Sequence, residues 1–308
     1  MVARQLRLML AIELIGYVLL GLWLERRGWS DGEIGLLVVG AFVAARIVLL
    51  VIGYGFLARY PSAGTRPGLF GATRMAVFEL LAWIVLFSLV QPFERLWMGN
   101  DRLRPTDGRP PLLLVHGYRC NRGFWFWLRG RLEAAGWVVA THNLEPLWAD
   151  IDSYAEGLER HIDAMLAATG AKQVVVVAHS MGGLAARAYF RRHGTNKVAR
   201  FISLGSPHHG TRIAALALGE NGRQMRVGNG WLAGLADAPL PAGSVSIFSR
   251  QDNVVMPPDA ASTLAGATNI ALDGIGHVGM AISPRIAAAL REALAQGATG
   301  VSVGTGTS

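Results

Sequence analysis

The chain of 308 residues is poor in cysteine, in lysine and in charge overall. Its single cysteine, Cys120, allows no disulfide within the chain and no cluster of thiolate metal ligands. Only two of its 29 basic residues are lysines, and the arginines are scattered, which speaks against nucleic-acid binding. Charged residues make up 16% of the chain, whereas an average soluble domain has about 25%. Part of the chain is therefore expected to lie in a membrane.

Apolar residues, 52% of the chain, are concentrated in three long stretches near the N-terminus. Each stretch approaches the roughly 20 residues that a helix needs to cross the hydrocarbon core of a bilayer. They are Leu6–Leu24, Ile34–Ala58 and Leu69–Val90. A cleaved signal peptide is the alternative for the first stretch, but no small-x-small cleavage site follows it. Residues 1–90 are thus predicted to form a membrane anchor of about three transmembrane helices.

Charged residues interrupt these apolar stretches. An isolated ion at the centre of a bilayer costs at least about 2.5–3.5 kcal/mol, so Glu13, Arg46 and Glu79 are expected to pair between helices. A transport path is the alternative, but three helices without an inverted repeat are too few for most transporters. We predict a multi-pass protein of the bacterial inner membrane in contact with membrane lipids. Arginines flank both ends of the helices, so the positive-inside rule does not assign a side.

Beyond the apolar stretches the pattern changes twice. Residues 91–111 are rich in Pro, Gly, Asp and Arg and are predicted to be a linker. Residues 112–296 alternate short apolar runs with helical periodicity, which predicts a compact α/β domain of about six mainly parallel strands with helices on both faces. Residues 297–308, rich in Gly, Ser and Thr, are predicted to be a disordered tail. The expected strands are Leu112–Val115, Val138–Thr141, Gln173–Ala178, Phe201–Leu204, Val245–Phe248 and Asn269–Leu272.

The segment A-H-S-M-G-G, residues 178–183, lies where a run of four valines gives way to a predicted helix. A nucleophile elbow needs this context, because small residues must flank a serine that is held at a sharp turn. The usual pattern is G-x-S-x-G, and Ala178 takes the first small position here. Ser180 is therefore the candidate nucleophile.

A serine hydroxyl needs a base, and the base needs an orienting acid. In an α/β-hydrolase the three follow the chain order Ser, Asp or Glu, His. Asp252 and His277 follow the fifth and sixth predicted strands, so both belong to the edge of a parallel sheet where ligands bind. Asp259 is the nearest alternative acid, ahead of Asp237 and Asp273.

Backbone donors for an oxyanion are expected beside the nucleophile. V-H-G-Y, residues 115–118, follows the first strand, and the N–H groups of Tyr118 and Met181 are the predicted pair. His116 and His179 are expected to have packing roles, and His208 and His209 lack the spacing of a metal site. Two aromatic residues near the predicted rim, Trp125 and Trp148, are the candidate substrate-binding residues.

Five motifs in this order resemble those of small, nearly lidless bacterial lipases and esterases of the α/β-hydrolase superfamily. They are V-H-G-Y, A-H-S-M-G-G, S-P-H-H-G-T, F-S-R-Q-D-N-V-V-M and G-I-G-H-V-G-M. The resemblance covers about Leu112 to Ala295, not the apolar helices. It implies Ser180 as nucleophile, His277 as base, Asp252 as its orienting acid, and Tyr118 and Met181 as oxyanion donors. It also implies a reaction without a metal or an organic cofactor.

The substrate predicted for this enzyme is a carboxylic ester, in particular an acyl lipid, because the anchor would hold the site near a bilayer. A short-chain or aryl ester is the alternative. Hydrolases that deacylate lipid-linked inositol share similar motifs and remain a further alternative. A non-catalytic membrane scaffold is disfavoured by the intact Ser, Asp and His positions.

Overall fold

The computed structural model describes residues 1–64 and 67–296. Its first three helices are α1 (Val2–Glu25), α2 (Asp31–Arg59) and α3 (Leu69–Ile84). Ser30 begins α2 through a capping box, in which its side chain and that of Glu33 satisfy each other's backbone N–H groups. Within the described residues, three helical stretches are long and apolar enough to cross a membrane. The predicted tail, residues 297–308, lies outside the described part of the chain.

The helical path after α3 continues beyond the predicted start of the linker. A π-helix, Val85–Val90, is followed by a turn of 3-10 helix and by α4 (Glu94–Met98). Gln91 is fully buried, and its side-chain and backbone oxygens each accept a hydrogen bond of 2.8 Å from Asn121. Residues 91–98, the first part of the predicted linker, are thus helical, and the contact of Gln91 with Asn121 is one that polar composition does not reveal.

A single parallel sheet of six strands organises the rest of the described chain, in the order β2-β1-β3-β4-β5-β6. All neighbouring pairs are parallel. The predicted strands are confirmed within three residues at each end. The observed strands are β1 (Leu112–Val115), β2 (Val139–His142), β3 (Val174–His179), β4 (Val198–Leu204), β5 (Val245–Ser249) and β6 (Thr268–Leu272).

Helices cover both faces of this sheet, and the central strand shows why. In β3 the residues Val174 and Val176 point into one apolar core, whereas Val175 and Val177 point into the other. Successive side chains of a strand face opposite sides, so a run of four valines suits a strand that is buried on both faces. The remaining helices are α5 (Phe126–Ala134), α6 (Tyr154–Thr169), α7 (Met181–His193), α8 (Gly219–Gln224), α9 (Gly230–Ala233), α10 (Pro258–Ser262) and α11 (Pro284–Ala295).

The charges inside the apolar helices only partly follow the predicted pairing. Arg46 of α2 forms an ion pair with Glu13 of α1 and donates a bond of 2.7 Å to its second oxygen. Tyr17, one turn along α1, also donates to Glu13. Glu79 does not join this pair, contrary to the prediction. It points the other way, into the sheet domain, because backbone N–H groups there offer it hydrogen bonds.

Candidate active site

Ser180 lies at the turn between β3 and α7 with φ of 55°, one of two non-glycine residues at positive φ among the described residues. Such backbone strain persists only where the surroundings impose it. The tight packing requires the two following glycines. A Cβ at Gly182 would lie 2.5 Å from the carbonyl oxygen of His116, and one at Gly183 would lie 2.7 Å from Cβ of Ser206. The sharp turn that the pattern A-H-S-M-G-G predicts is thus present in the structure.

Ser180, His277 and Asp252 meet at the carboxyl edge of the sheet. The imidazole Nε2 of His277 lies 3.0 Å from the Ser180 hydroxyl oxygen. Its Nδ1 lies 2.8 Å from Oδ2 of Asp252. Both distances are within the range of hydrogen bonds that join a nucleophile, a base and an orienting acid. These residues are separated by up to 97 positions in the chain, and the parallel sheet brings them together.

Asp252 is fully buried and firmly held. Its Oδ1 accepts backbone hydrogen bonds of 2.8 Å from Val254 and 2.7 Å from Val255, which leaves Oδ2 for the histidine. Burial alone would lower the pKa of His277, but the charge of Asp252 and its hydrogen bond outweigh this effect and raise that pKa above its ordinary value. The arrangement therefore stabilises the imidazolium that forms when His277 accepts a proton.

The alternative acids lie elsewhere. Asp273 forms an ion pair of 3.0 Å with Arg250, and Asp259 lies 3.8 Å from the same guanidinium. Neither takes part in a hydrogen bond with His277. Of the four acids weighed from the sequence, Asp252 is the one that contacts the imidazole.

The loop that carries Tyr118, one of the two residues predicted to donate to an oxyanion, lies beside Ser180. A Cβ on Gly117 would come within 2.7 Å of Cβ of Ser180, so only glycine permits this approach of the two loops. Tyr118 follows Gly117, and Met181 begins α7. In the described part of the chain neither backbone N–H donates to a protein acceptor, as is usual for the first N–H of a helix.

Three comparisons with known proteins agree on the fold. Residues 110–221 match a family described as the alpha/beta hydrolase fold. The mature form of a Bacillus licheniformis lipase superposes with a TM-score of 0.56 at 18% identity, over 64% of this chain and 96% of that one. Aspergillus fumigatus lipase B superposes with a TM-score of 0.56 at 21% identity, over 68% of this chain and 58% of that one. The sheet domain has the α/β-hydrolase fold.

Curated relatives are bacterial lipases. A triacylglycerol lipase of Pseudarthrobacter phenanthrenivorans is 32% identical over 114 residues, or 34% of this chain and 35% of the relative. A triacylglycerol lipase of Burkholderia plantarii is also 32% identical over 114 residues, or 34% of this chain and 32% of the relative. The chain thus matches about a third of the length of each. The resemblance to bacterial lipases and esterases of this superfamily is confirmed.

His116 and His179, near Ser180, are buried and make packing or backbone contacts, as the sequence predicts. His179 stacks on Phe124 with ring centres 4.2 Å apart, and burial lowers its pKa well below the ordinary value. His116 is buried, accepts a bond from the N–H of Leu144, and has a pKa lowered by burial to about 4. Burial raises the pKa of Cys120 to about 12, so its thiol stays protonated. No cluster of three metal-binding side chains occurs among the residues that the structure describes.

A cavity of about 820 Å³ lies over the triad. Its lining includes Ser180 and His277, and also Gly117 and Tyr118 of the loop after β1. The opposite wall comes from the apolar helices, which the sequence did not connect with the site. Residues of these helices that line the cavity include Leu6, Met9, Ala45, Leu49, Ile52 and Phe87. No sequence signal identifies them, because their apolar character is already explained by a membrane location.

The two predicted substrate-binding tryptophans do not line this cavity. Trp125 is fully buried in the core between the sheet and α5, with its ring edge-on to Phe124. Its prediction is corrected: the aromatic side chain belongs to the core of the hydrolase domain. Trp148 is half-buried and lies behind Tyr118, with ring centres 5.9 Å apart. Trp148 packs against the ring of Tyr118, which lines the cavity, and does not itself reach the cavity.

Proposed function

We propose that this protein is a membrane-anchored serine hydrolase that cleaves carboxylic esters of acyl lipids. The observation that carries the proposal is the hydrogen-bonded chain from Ser180 through His277 to Asp252 at the floor of an apolar cavity. The similarity to two triacylglycerol lipases, at 32% identity over 114 residues, supports the same chemistry.

In the proposed mechanism Ser180 attacks the ester carbonyl while His277 takes the hydroxyl proton. The new negative charge on the carbonyl oxygen is held by the N–H groups of Tyr118 and Met181. Asp252 orients the imidazole and stabilises its charged form. His277 then donates its proton to the leaving alcohol, an acyl-enzyme remains, and a water molecule activated by His277 releases the acid and restores Ser180.

The cavity supports an acyl-lipid substrate. Its volume lies within the range of about 300–1,000 Å³ that is typical of pockets for small organic ligands. Aliphatic and aromatic side chains from α1, α2 and the π-helix form the wall opposite Ser180. An acyl chain bound against this wall would leave water and bury apolar surface, which is favourable at about 25 cal/mol per Å².

The outer faces of the same helices support a membrane location. Leu8 and Leu19 of α1 and Leu36 of α2 expose more than half of their surfaces, and many further apolar side chains there do the same. Exposed apolar area on this scale is unfavourable in water. In the proposed arrangement lipid tails cover these faces, and the substrate reaches Ser180 from the bilayer.

The enzyme assignment is tested with a fluorophosphonate probe on the full chain in detergent. The probe should label wild-type protein, and Ser180→Ala should abolish the labelling. Ser153→Ala, which changes an exposed serine outside the site, serves as the matched control and should be labelled normally. An unlabelled wild-type protein that is folded would contradict catalysis and favour the scaffold alternative.

The substrate class is tested with a panel of esters that differ in acyl length. Hydrolysis should increase, or be maintained, from short to long acyl chains, because the cavity offers apolar surface for the chain. A steep loss beyond short chains would instead favour the short-chain or aryl esterase.

The membrane anchor is tested by washing membranes at high pH. The washed membranes should retain the protein if α1–α3 span the bilayer, and release into the wash would contradict the anchor.

A further inference from the structure

Glu79 is a fully buried carboxylate that the proposed mechanism does not use. It lies on α3, one of the apolar helices, and its side chain enters the hydrolase domain. Oε1 accepts a hydrogen bond of 2.9 Å from the backbone N–H of Val278, and Oε2 accepts one of 2.7 Å from that of Gly279. These donors are the two residues that follow His277 in the chain.

The loop around His277 is shaped to admit this carboxylate. A Cβ on Gly276 would overlap the Glu79 side chain, and one on Gly279 would lie 3.0 Å from its Oε2. Gly276 does not have positive φ, so its backbone conformation does not require glycine. Glycine is needed there because a side chain would collide with Glu79. Gly276 and Gly279 of the motif G-I-G-H-V-G-M thus make room for a residue about 200 positions earlier in the chain.

Three consecutive backbone N–H groups of this loop donate hydrogen bonds to side-chain oxygens. His277 donates to Oδ1 of Asn253 at 2.9 Å, and Val278 and Gly279 donate to Glu79. They begin a short 3-10 helix, Val278–Ile282, whose first N–H groups have no acceptor within the helix. A buried N–H without an acceptor is costly, so Glu79 stabilises one backbone position of this turn over others.

We infer that Glu79 is a positioning residue, through which an apolar helix holds the His277 loop in register with Ser180. The inference rests on the proposed function. Glu79 does not line the cavity, so it acts on the placement of the imidazole and not on the binding of the ester. The geometry of the triad depends on a residue outside the α/β-hydrolase fold, and the isolated hydrolase domain would lack this support.

The test is Glu79→Gln in the full chain, since glutamine has the same shape but presents an NH₂ group to one of the two N–H donors. The kcat for ester hydrolysis should fall roughly ten- to hundred-fold, because small misplacements of a reacting group have effects of this size. KM should remain within a factor of two to three. Glu25→Gln changes an exposed carboxylate at the end of α1 and should retain wild-type kinetics. A wild-type kcat in Glu79→Gln would overturn the inference, as would a change confined to KM.

A second variant keeps the inference testable if Glu79→Gln does not fold. Gly279→Ala retains Glu79 but adds a methyl group 3.0 Å from its Oε2 and 3.2 Å from the Phe78 ring, so the carboxylate or the loop must shift. It should lower kcat and leave KM unchanged, and an unchanged kcat would count against the inference. Failure of the proposed function is distinguishable, because the probe would then not label even the wild-type protein.

Discussion

Gly53 of α2 packs directly against Asn253, the residue next to Asp252. A Cβ at Gly53 would lie 2.7 Å from the carbonyl oxygen of Asn253 and 3.2 Å from its side-chain nitrogen. Asn253 in turn accepts the backbone N–H of His277. A predicted membrane helix therefore touches the loop that carries Asp252, and the contact requires a residue without a side chain.

We expect Gly53→Ala to lower both activity and stability. The added methyl group meets backbone, which cannot move without displacing Asn253, and overpacking of this kind typically costs about 1–3 kcal/mol. Gly55→Ala is the matched control, since a Cβ there meets nothing within 4 Å, and alanine is favoured over glycine in a helix by about 0.5–1 kcal/mol. The measurement is residual probe labelling after heating, together with kcat. If Gly55→Ala lost as much stability and activity as Gly53→Ala, the effect would come from alanine in the helix and not from the contact with Asn253.

The pH dependence of kcat/KM should report the ionisation of His277. Only the neutral imidazole accepts the Ser180 proton, so activity should fall as the pH drops through its pKa. Asp252 raises that pKa, and the acid limb is therefore expected above the ordinary value for histidine of about 6.5.

Asp252→Asn should move this acid limb to lower pH, because burial, which lowers the pKa, then acts without the opposing charge. It should also reduce kcat roughly 10⁴-fold through loss of the orienting bond. Rates measured from pH 4 to pH 9, a range of about the width needed to bracket the pKa, give both quantities. An acid limb that stays in place would indicate that another group titrates.

Local sequence patterns predicted the sheet, and singled out Ser180, Asp252 and His277, because each depends on short-range signals. The four valines before Ser180 and the glycines after it are adjacent in the chain, and a parallel sheet brings strand ends together. Asp252 was separable from Asp259 only by its position directly after β5, and the structure places it against His277.

The contribution of the apolar helices was not predictable in this way. Glu79 looked like a membrane charge in need of a partner, and nothing near it in the chain indicates the loop of His277. The helix faces that meet the cavity and those that remain exposed are both apolar, so hydropathy does not distinguish Ala45 from Val39. The prediction that Trp125 binds substrate was wrong for a related reason: a large aromatic side chain suits a core as well as a pocket.

The ion pair of Glu13 and Arg46 should stabilise the packing of α1 against α2. In Arg46→Met the carboxylate keeps only Tyr17 as a side-chain partner, and an unpaired charge at membrane depth is unfavourable by about 2.5–3.5 kcal/mol. Thermal inactivation in detergent should therefore occur at lower temperature. The double variant Glu13→Leu with Arg46→Met leaves no unpaired charge and should recover most of the loss. If the double variant were less stable than Arg46→Met, the loss of stability in Arg46→Met could not be due to an unpaired charge on Glu13.

The cavity wall should determine acyl-chain preference. Ala45 of α2 lines the cavity opposite the triad, so Ala45→Phe should fill part of the volume that a long acyl chain occupies. We expect kcat/KM to fall roughly 10- to 100-fold for long-chain esters, since each methylene excluded from an apolar site removes about 0.8 kcal/mol. Short-chain esters and the fluorophosphonate probe should react at nearly wild-type rates, because the triad and the oxyanion donors are unchanged.

Val39→Phe is the control for this substitution. Val39 lies on the same helix, exposes 61% of its surface and is not part of the cavity lining, so the substitution places the same phenylalanine on a face turned away from Ser180. Its ester profile should match that of the wild-type protein at every chain length. Equal losses for short and long esters in Ala45→Phe would mean that the substitution disturbs the triad, and an unchanged profile would mean that acyl chains bind elsewhere. Selective loss of long esters in Ala45→Phe alone would place the acyl chain against α2, and the helix would then belong to the substrate site as well as to the anchor.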